Sequence, residues 1–319
     1  MGETQTLVNQ HSAEDYPVQA PTWVDSLPSS IRPYFYLTRI DNPAGTLLLF
    51  YPCAWSVTMA CYAVRAPVTM AWNYLGFFLI ASQVFHAAGC VIDDMWDKNI
   101  DAATARTRRR PLAAGDISRF QAFLSLVPQL ALGVWMFMQL NEFSTNFGLS
   151  SLVLVVVYPA MKRVITYPQI VLALCFNWGA LLGAASIAGT IDWRIFMPLY
   201  VGAGCWTFEY DTLCALTDKD DDIKNGINSA TIIFGDWVRH ILFVFSFVAC
   251  SLVTYAGILN EHGSLFFIGV ALGALHLVRL LSTIDIKNME SLEASLLNNA
   301  WFGFWIWAGA MADYVMSMQ

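Results

Sequence analysis

Four carboxylates fall within nine residues, at Asp93, Asp94, Asp97 and Asp101, and four arginines follow at Arg106, Arg108, Arg109 and Arg110. On a helix turning ~100° per residue, Asp93, Asp97 and Asp101 step by ~40° each, and Asp94 falls on the same side. Such a face repels itself unless something positive sits on it. A hard divalent cation suits carboxylate oxygens, and arginines suit a polyanion such as phosphate. The chemistry implied is a site where Mg²⁺ and a phosphorylated substrate meet.

A second acidic stretch, Asp218-Lys219-Asp220-Asp221-Asp222, lies more than one hundred residues later. Asp211, Asp218 and Asp222 stand at i, i+7 and i+11, within ~20° of one helical face. Asp220 points off that face and reads as solvated. Either stretch alone is what a solvated loop after an apolar run looks like. Two of them, with helical spacing and arginines nearby, predict a cage for two cations bridged by a diphosphate, since Mg²⁺ is usually held by a few carboxylates plus substrate phosphates.

The elements that must carry these residues are membrane helices. The chain has 319 residues, 57% hydrophobic and 13% charged, with a mean hydropathy of +0.51. Soluble domains carry about 25% charge. Nine apolar segments of spanning length, about 20 residues each, run near 45–64, 71–92, 120–139, 146–161, 168–188, 195–216, 238–258, 264–283 and 297–316. With the N-terminus cytoplasmic, 15 of the 17 Lys and Arg fall on the inside and only Arg65 and Arg194 outside, as the positive-inside rule requires. Both acidic stretches then lie on the cytoplasmic face. The expected architecture is an all-α membrane protein, a nine-helix bundle with a cytoplasmic-facing site. Residues 1–33 are polar and acidic, and read as a disordered tail ahead of a single domain over 34–319. The arginine cluster is short and flanked by acids, which argues against nucleic-acid binding. The seven cysteines show no CxxC spacing and read as small buried hydrophobes.

With these residues in place, the sequence resembles the UbiA superfamily of intramembrane aromatic prenyltransferases over about residues 34–315. The likeness is greatest to 4-hydroxybenzoate polyprenyltransferases and to fungal meroterpenoid prenyltransferases. The first family signature is matched at Asp93, Asp94, Asp97 and Asp101, followed by Arg106, Thr107, Arg110, Pro111, Leu112 and Gly115. The second is matched at Tyr210, Asp211, Thr212, Ala215, Asp218, Asp221, Asp222, Gly226 and Ser229. Arg39, Asp41, Pro43, Gly45, Leu48 and Leu49 match the segment before the first span, and Tyr158, Pro159, Lys162, Arg163 and Thr166 match the fourth-to-fifth loop. Asp93 replaces the usual Asn and adds a negative charge. Asn42 replaces a common Lys, which bears on how the acceptor is read.

The resemblance implies transfer of a prenyl group from a prenyl diphosphate to an aromatic carbon, with Mg²⁺ as cofactor. Asp93, Asp97, Asp218 and Asp222 are the implied metal ligands. Asp94, Asp101, Asp211 and Asp221 are outer or substrate-orienting acids. Arg106, Arg110, Lys162 and Arg163 are diphosphate contacts, with Lys162 the stronger of the last pair. Arg39 and Asp41 are acceptor-side candidates. Arg39 suits an acceptor carboxylate, but equally suits a charge at a helix start. Arg108 and Arg109 lie off the motif and suit orientation or lipid head groups. Of the polar residues inside spans, His86 and Asn177 are candidates to line the acceptor pocket or to pack through hydrogen bonds, and Glu209, Asn298 and Asn299 mark the bundle interior. The N-terminus has no Arg-rich presequence, so the expectation is a secondary-metabolite enzyme in an internal membrane such as the endoplasmic reticulum. It would use farnesyl diphosphate and a phenolic polyketide acceptor. The alternatives are a 4-hydroxybenzoate polyprenyltransferase of ubiquinone synthesis, a membrane terpene cyclase and a cation-coupled carrier.

Overall fold

The computed structural model describes residues 22–161, 165, 167–225 and 229–319, and among these every regular element is helical. A short α1 (Arg32–Leu37) precedes α2 (Ala44–Ala63) and α3 (Val68–Ala103). A connector, α4 (Pro111–Ala114), leads to α5 (Arg119–Phe137) and α6 (Glu142–Met161). Then come α7 (Pro168–Phe176), α8 (Gly179–Ala188) and α9 (Trp193–Ala215). Two short helices, α10 (Lys219–Asn225) and α11 (Ala230–Phe234), precede α12 (Val238–Leu259), α13 (Ser264–Thr283) and α14 (Met289–Ser317).

All nine apolar segments fall on helices. Among the described residues, six stretches are long and apolar enough to cross a bilayer: α2, α3, α5, α7 with α8, α11 through α12, and α13. The other three helices fall short of that measure. α9 and α14 carry carboxylates at Glu209, Asp211 and Asp313. The outer surface is apolar where a soluble protein would be polar. Phe120, Phe123, Val244, Phe247 and Leu275 are each half exposed or more, a pattern that suits hydrocarbon rather than water.

The core sits where α2, α9 and α14 meet. Trp55, Trp206 and Phe302 pack there with centroids 5.4 Å (Trp55–Trp206) and 5.1 Å (Trp206–Phe302) apart, and the Trp55 indole N–H donates to the Gly303 carbonyl at 2.8 Å. α13 and α14 approach backbone to backbone: a Cβ on Gly269 would lie 2.5 Å from the Trp305 carbonyl oxygen and 2.7 Å from Gly309 Cα.

Three departures from the sequence expectation have local causes. First, the described residues are already ordered from Thr22, inside the stretch to 33 that composition marks as tail. Thr22 and Asp25 form a capping box, and Asp25 accepts from the Tyr36 hydroxyl at 2.8 Å, so a local hydrogen-bond network orders a segment that composition marks as tail. Residues 1–21 lie outside the described residues. Second, the span over 168–188 breaks at Asn177 and Trp178. The buried Asn177 amide donates to Ala173 O at 2.8 Å and to Thr207 Oγ1 at 2.7 Å, tying the break to α9. Third, α9 stops at Ala215. A 3₁₀ turn over Leu216–Asp218 intervenes before α10, so Asp211 and Asp222 do not share one continuous helical face.

Candidate active site

α3 builds the first half of the site. Its 36 residues span about 54 Å at 1.5 Å per residue, against a hydrocarbon core of about 30 Å. Nothing breaks the helix before Thr104, so the acidic stretch continues the span as one rigid rod. Asp94, Asp97 and Asp101 are buried, at 1%, 7% and 7% exposure. Asp93 stands at the edge of a cavity.

The buried acids are not equivalent. Arg39 Nη2 donates to both oxygens of Asp94 at 2.9 Å. Arg110 Nη1 donates to Asp94 at 3.0 Å and to Asp101 at 3.1 Å. Asp94 and Asp101 therefore clasp arginines. The sequence suggested that Arg39 holds an acceptor carboxylate; in the structure the carboxylate it holds is that of Asp94. Arg39 adopts φ 53°, a left-handed conformation costing a non-glycine residue about 1–2 kcal/mol. Asp41, close by in sequence, is half buried. One of its oxygens is buried without a hydrogen-bond partner among the described residues. Burial raises its pKa, with Arg39 pulling the other way.

The second half meets the first through the loop after α3. Arg106 Nε and Nη2 donate to the two oxygens of Asp218 at 2.8 and 2.6 Å. The Ala105 N–H donates to Asp221 at 2.8 Å, and Lys224 pairs with the same carboxylate at 3.3 Å. Burial, with Asp218 and Asp221 alongside, pushes the Asp222 carboxyl up to about 6, against the pull of Ser229 and Arg106. Asp211 is part-buried on α9, and its charge acts with those of Arg106, Asp218 and Arg110 on Cys214 between them. Asp220 is exposed, as the sequence reading has it. Glu293 at the start of α14, which the motif reading passed over, lies in the field of Arg106 and Asp218. Its only sequence signal is an acid at a helix start.

Among the described residues no three carboxylate, histidine or cysteine side chains close into a metal-ligating cluster. The donor chemistry nevertheless fits a hard cation. Carboxylates dominate both banks, Asp218 is satisfied by a bidentate cation in Arg106, and burial beside like charges penalises ionised Asp222. These are the properties of acids that need positive charge between them. Lys162 and Arg163, the expected diphosphate contacts of the α6–α7 loop, lie outside the described residues, as do Thr166 and Gly226 of the motifs.

From Asp93 a cavity of about 280 Å³ runs between α2, α3, α5, α6, α7 and α8, near the lower end of ligand pockets at roughly 300–1,000 Å³. Its wall is mostly apolar, with Leu49, Phe78, Phe85, Phe137, Phe176 and Trp178. His86, Ser82 and Cys90 supply polar atoms on the α3 side. Of the five polar residues singled out inside spans, His86 lines this cavity. Asn177 holds the α7–α8 break, Asn299 accepts from the Trp206 indole at 3.0 Å, the Asn298 carbonyl pairs with His276, and Glu209 is fully buried elsewhere.

The profile of the UbiA prenyltransferase family matches residues 52–309. The chain belongs to the UbiA prenyltransferase family. It is 40% identical over 294 residues to a mitochondrial 4-hydroxybenzoate polyprenyltransferase of Drosophila melanogaster, covering 92% of this chain and 74% of the relative. The human mitochondrial 4-hydroxybenzoate polyprenyltransferase is 37% identical over 292 residues, covering 92% and 78%. Among solved structures, a UbiA homologue from Aeropyrum pernix K1 superposes with a TM-score of 0.68 at 19% identity, over 83% of this chain and 97% of that one. A UbiA homologue from Archaeoglobus fulgidus bound to GPP and Mg²⁺ gives 0.58 at 18% identity, over 88% and 99%. The archaeal structures share the fold, and the protein is a multi-pass integral membrane prenyltransferase.

Proposed function

We propose that this UbiA-family enzyme transfers a polyprenyl group from a prenyl diphosphate to a ring carbon of 4-hydroxybenzoate or a closely similar phenol. The observation that carries the reading is the Arg106–Asp218 clasp, which brings both acidic stretches to one end of the bundle, the end where the cavity reaches Asp93. The curated relatives are named for 4-hydroxybenzoate. They favour it over the phenolic polyketide, and a polyprenyl donor over farnesyl diphosphate. Those relatives are also named mitochondrial, so we take a mitochondrial membrane, rather than the endoplasmic reticulum, as the location. All nine helices are taken to cross, with the site on the basic face.

Asp93 and Asp97 on one bank, and Asp218 and Asp222 on the other, would hold Mg²⁺. When bound, the cation supplies the Lewis acidity that stabilises a departing diphosphate. Arg106 exchanges Asp218 for a phosphate oxygen, while Arg110 is aimed from its seat on Asp94 and Asp101. Lys162 and Arg163 retain the diphosphate role that the family motif implies. The allylic C–O bond breaks with its electron pair going to the diphosphate. The π-faces of Phe85, Phe137 and Trp178 stabilise the cationic chain. A pair of ring π-electrons forms the new C–C bond, and the ring proton passes to the released diphosphate as the ring regains its aromaticity.

The test is a matrix of geranyl, farnesyl and longer prenyl diphosphates against 4-hydroxybenzoate and an orsellinic-acid-type phenol, in membranes with Mg²⁺. Prenylated 4-hydroxybenzoate supports the proposal. A product from the polyketide phenol and farnesyl donor alone would replace it, and a hydrocarbon made from donor alone would indicate a cyclase.

A further inference from the structure

We infer that His86 reads the hydroxyl of the aromatic acceptor, through a ring nitrogen whose lone pair is fixed by the residues behind it. The inference rests on the prenyl-transfer reading above and assigns how that reaction's acceptor is seated.

The tautomer follows from a chain of hydrogen bonds. The Thr46 hydroxyl has one proton and donates it to Gln83 Oε1 at 2.9 Å. Its oxygen also lies 3.3 Å from His86 Nδ1, so in that contact it accepts, and the imidazole proton sits on Nδ1. Nε2 is left as the acceptor. Its neighbour is the Cys90 thiol at 3.5 Å, a weak donor that a phenol O–H displaces.

The ring is positioned as well as polarised. A Cβ at Gly45 would lie 2.1 Å from His86 Nε2, so only glycine at 45 leaves the imidazole its place. His86 lines the cavity seven residues before Asp93, about 10 Å along the helix at 1.5 Å per residue. That span accommodates a phenol ring between the imidazole and the diphosphate end. Two other polar groups of the described wall have their protons engaged: the Trp178 indole N–H donates to Phe147 O at 3.1 Å, and the Ser151 hydroxyl to Gly148 O at 2.6 Å. A hydroxyl hydrogen-bonded to Nε2 fixes which ring carbon faces the allylic carbon and raises its electron density.

The experiment compares 4-hydroxybenzoate as substrate with 4-methoxybenzoate as competitive inhibitor, at saturating prenyl diphosphate. The ether keeps the ring and carboxylate but cannot donate. Wild-type enzyme is expected to bind the hydroxyl compound about tenfold or more better than the ether, the worth of one hydrogen bond to a buried partner. His86→Leu brings the two to within about twofold by raising the acceptor KM, and leaves the donor KM and the inhibition by the ether unchanged. His86→Gln, which retains an acceptor oxygen, restores part of the preference. Gly45→Ala, which keeps the imidazole but displaces it, weakens the preference too, and both stand in if His86→Leu does not fold. Persistence of the full hydroxyl preference in His86→Leu, or in the other two variants, overturns the assignment while leaving prenyl transfer standing. Failure of wild-type enzyme to prenylate any phenol overturns the underlying reading, and this assignment with it.

Discussion

Asp94→Asn separates the arginine clasp from the metal site. The wild-type carboxylate is 1% exposed and receives Arg39 at 2.9 Å and Arg110 at 3.0 Å. Asparagine keeps the shape and one acceptor oxygen, but removes the charge and turns an N–H₂ toward a guanidinium. Breaking a buried ion pair from one side costs about 3–5 kcal/mol. Here both arginines keep roughly a fifth of their side-chain surface in solvent, so screening reduces the figure to about 2–3 kcal/mol. A lowered thermal midpoint in detergent is the first readout. The kinetic signature is more specific. Arg39 and Arg110 are released together, so the donor KM rises through Arg110, and the acceptor KM rises because Arg39 no longer braces the segment leading to Gly45 and His86 against α3. Of the two arginines, Asp101→Asn touches Arg110 alone, and raises the donor KM alone. Mn²⁺ affinity, read by electron paramagnetic resonance, stays within about twofold in both variants, against the tenfold that 1.4 kcal/mol would produce. A selective collapse of Mn²⁺ binding in Asp94→Asn with unchanged KM values would make Asp94 a metal ligand and refute the reasoning.

Three other outcomes are expected. Arg106→Gln removes the cation seated on Asp218, so Mn²⁺ binding without donor tightens several-fold while turnover with donor falls; weaker binding without donor would contradict the exchange of partners proposed for Arg106. Gly269→Ala forces α13 from α14, because the new methyl meets the Trp305 carbonyl and Gly309 backbone rather than a movable side chain; a loss of about 1–3 kcal/mol lowers the thermal midpoint, and an unchanged midpoint would dismiss the close approach. Asp41 has its folded pKa raised by burial, so the folded state holds the proton more tightly than the unfolded one, and its contribution to stability declines as pH rises through the raised pKa. Asp41→Asn therefore gains stability relative to wild type at neutral pH, with the gain shrinking as pH falls from the raised value toward the unfolded one near 4 and vanishing below it; a gain that grows on acidification would reverse the sign.

Much of the architecture was legible because the bilayer imposes a length. Runs of about 20 apolar residues mark spans whatever their tertiary partners, and the continuity of α3 past residue 92 follows from Asp93, Asp97 and Asp101 keeping helical spacing with no proline or glycine between them. Two other features were hidden. The turn at Leu216–Asp218 has no breaker residue, so the periodicity of Asp211, Asp218 and Asp222 looked unbroken, although a 3₁₀ turn advances by 120° rather than 100°. Which arginine serves which acid was not readable either. Arg39 finds Asp94 fifty-five residues away and Arg106 finds Asp218 one hundred and twelve away, distances across which sequence carries no pairing signal. The roles of Asp94 and Asp101 as clasps rather than open ligands emerge only from those pairings. The same holds for Thr46 and Gln83 behind His86, which belong to no charged pattern, while Gly45 stands in the segment before the first span with no sign of the ring it packs against.

In the proposed reaction, carboxylates from two stretches more than one hundred residues apart act together on one prenyl diphosphate. Radiolabelled prenyl transfer to 4-hydroxybenzoate by purified protein, with Mg²⁺ or with EDTA, tests it most directly when wild type is compared with Asp97→Ala and Asp218→Ala. Wild-type protein is expected to form labelled product only with Mg²⁺, and each variant to lose it while remaining folded and membrane-inserted. Undiminished transfer by either variant, or transfer in EDTA, would contradict the account.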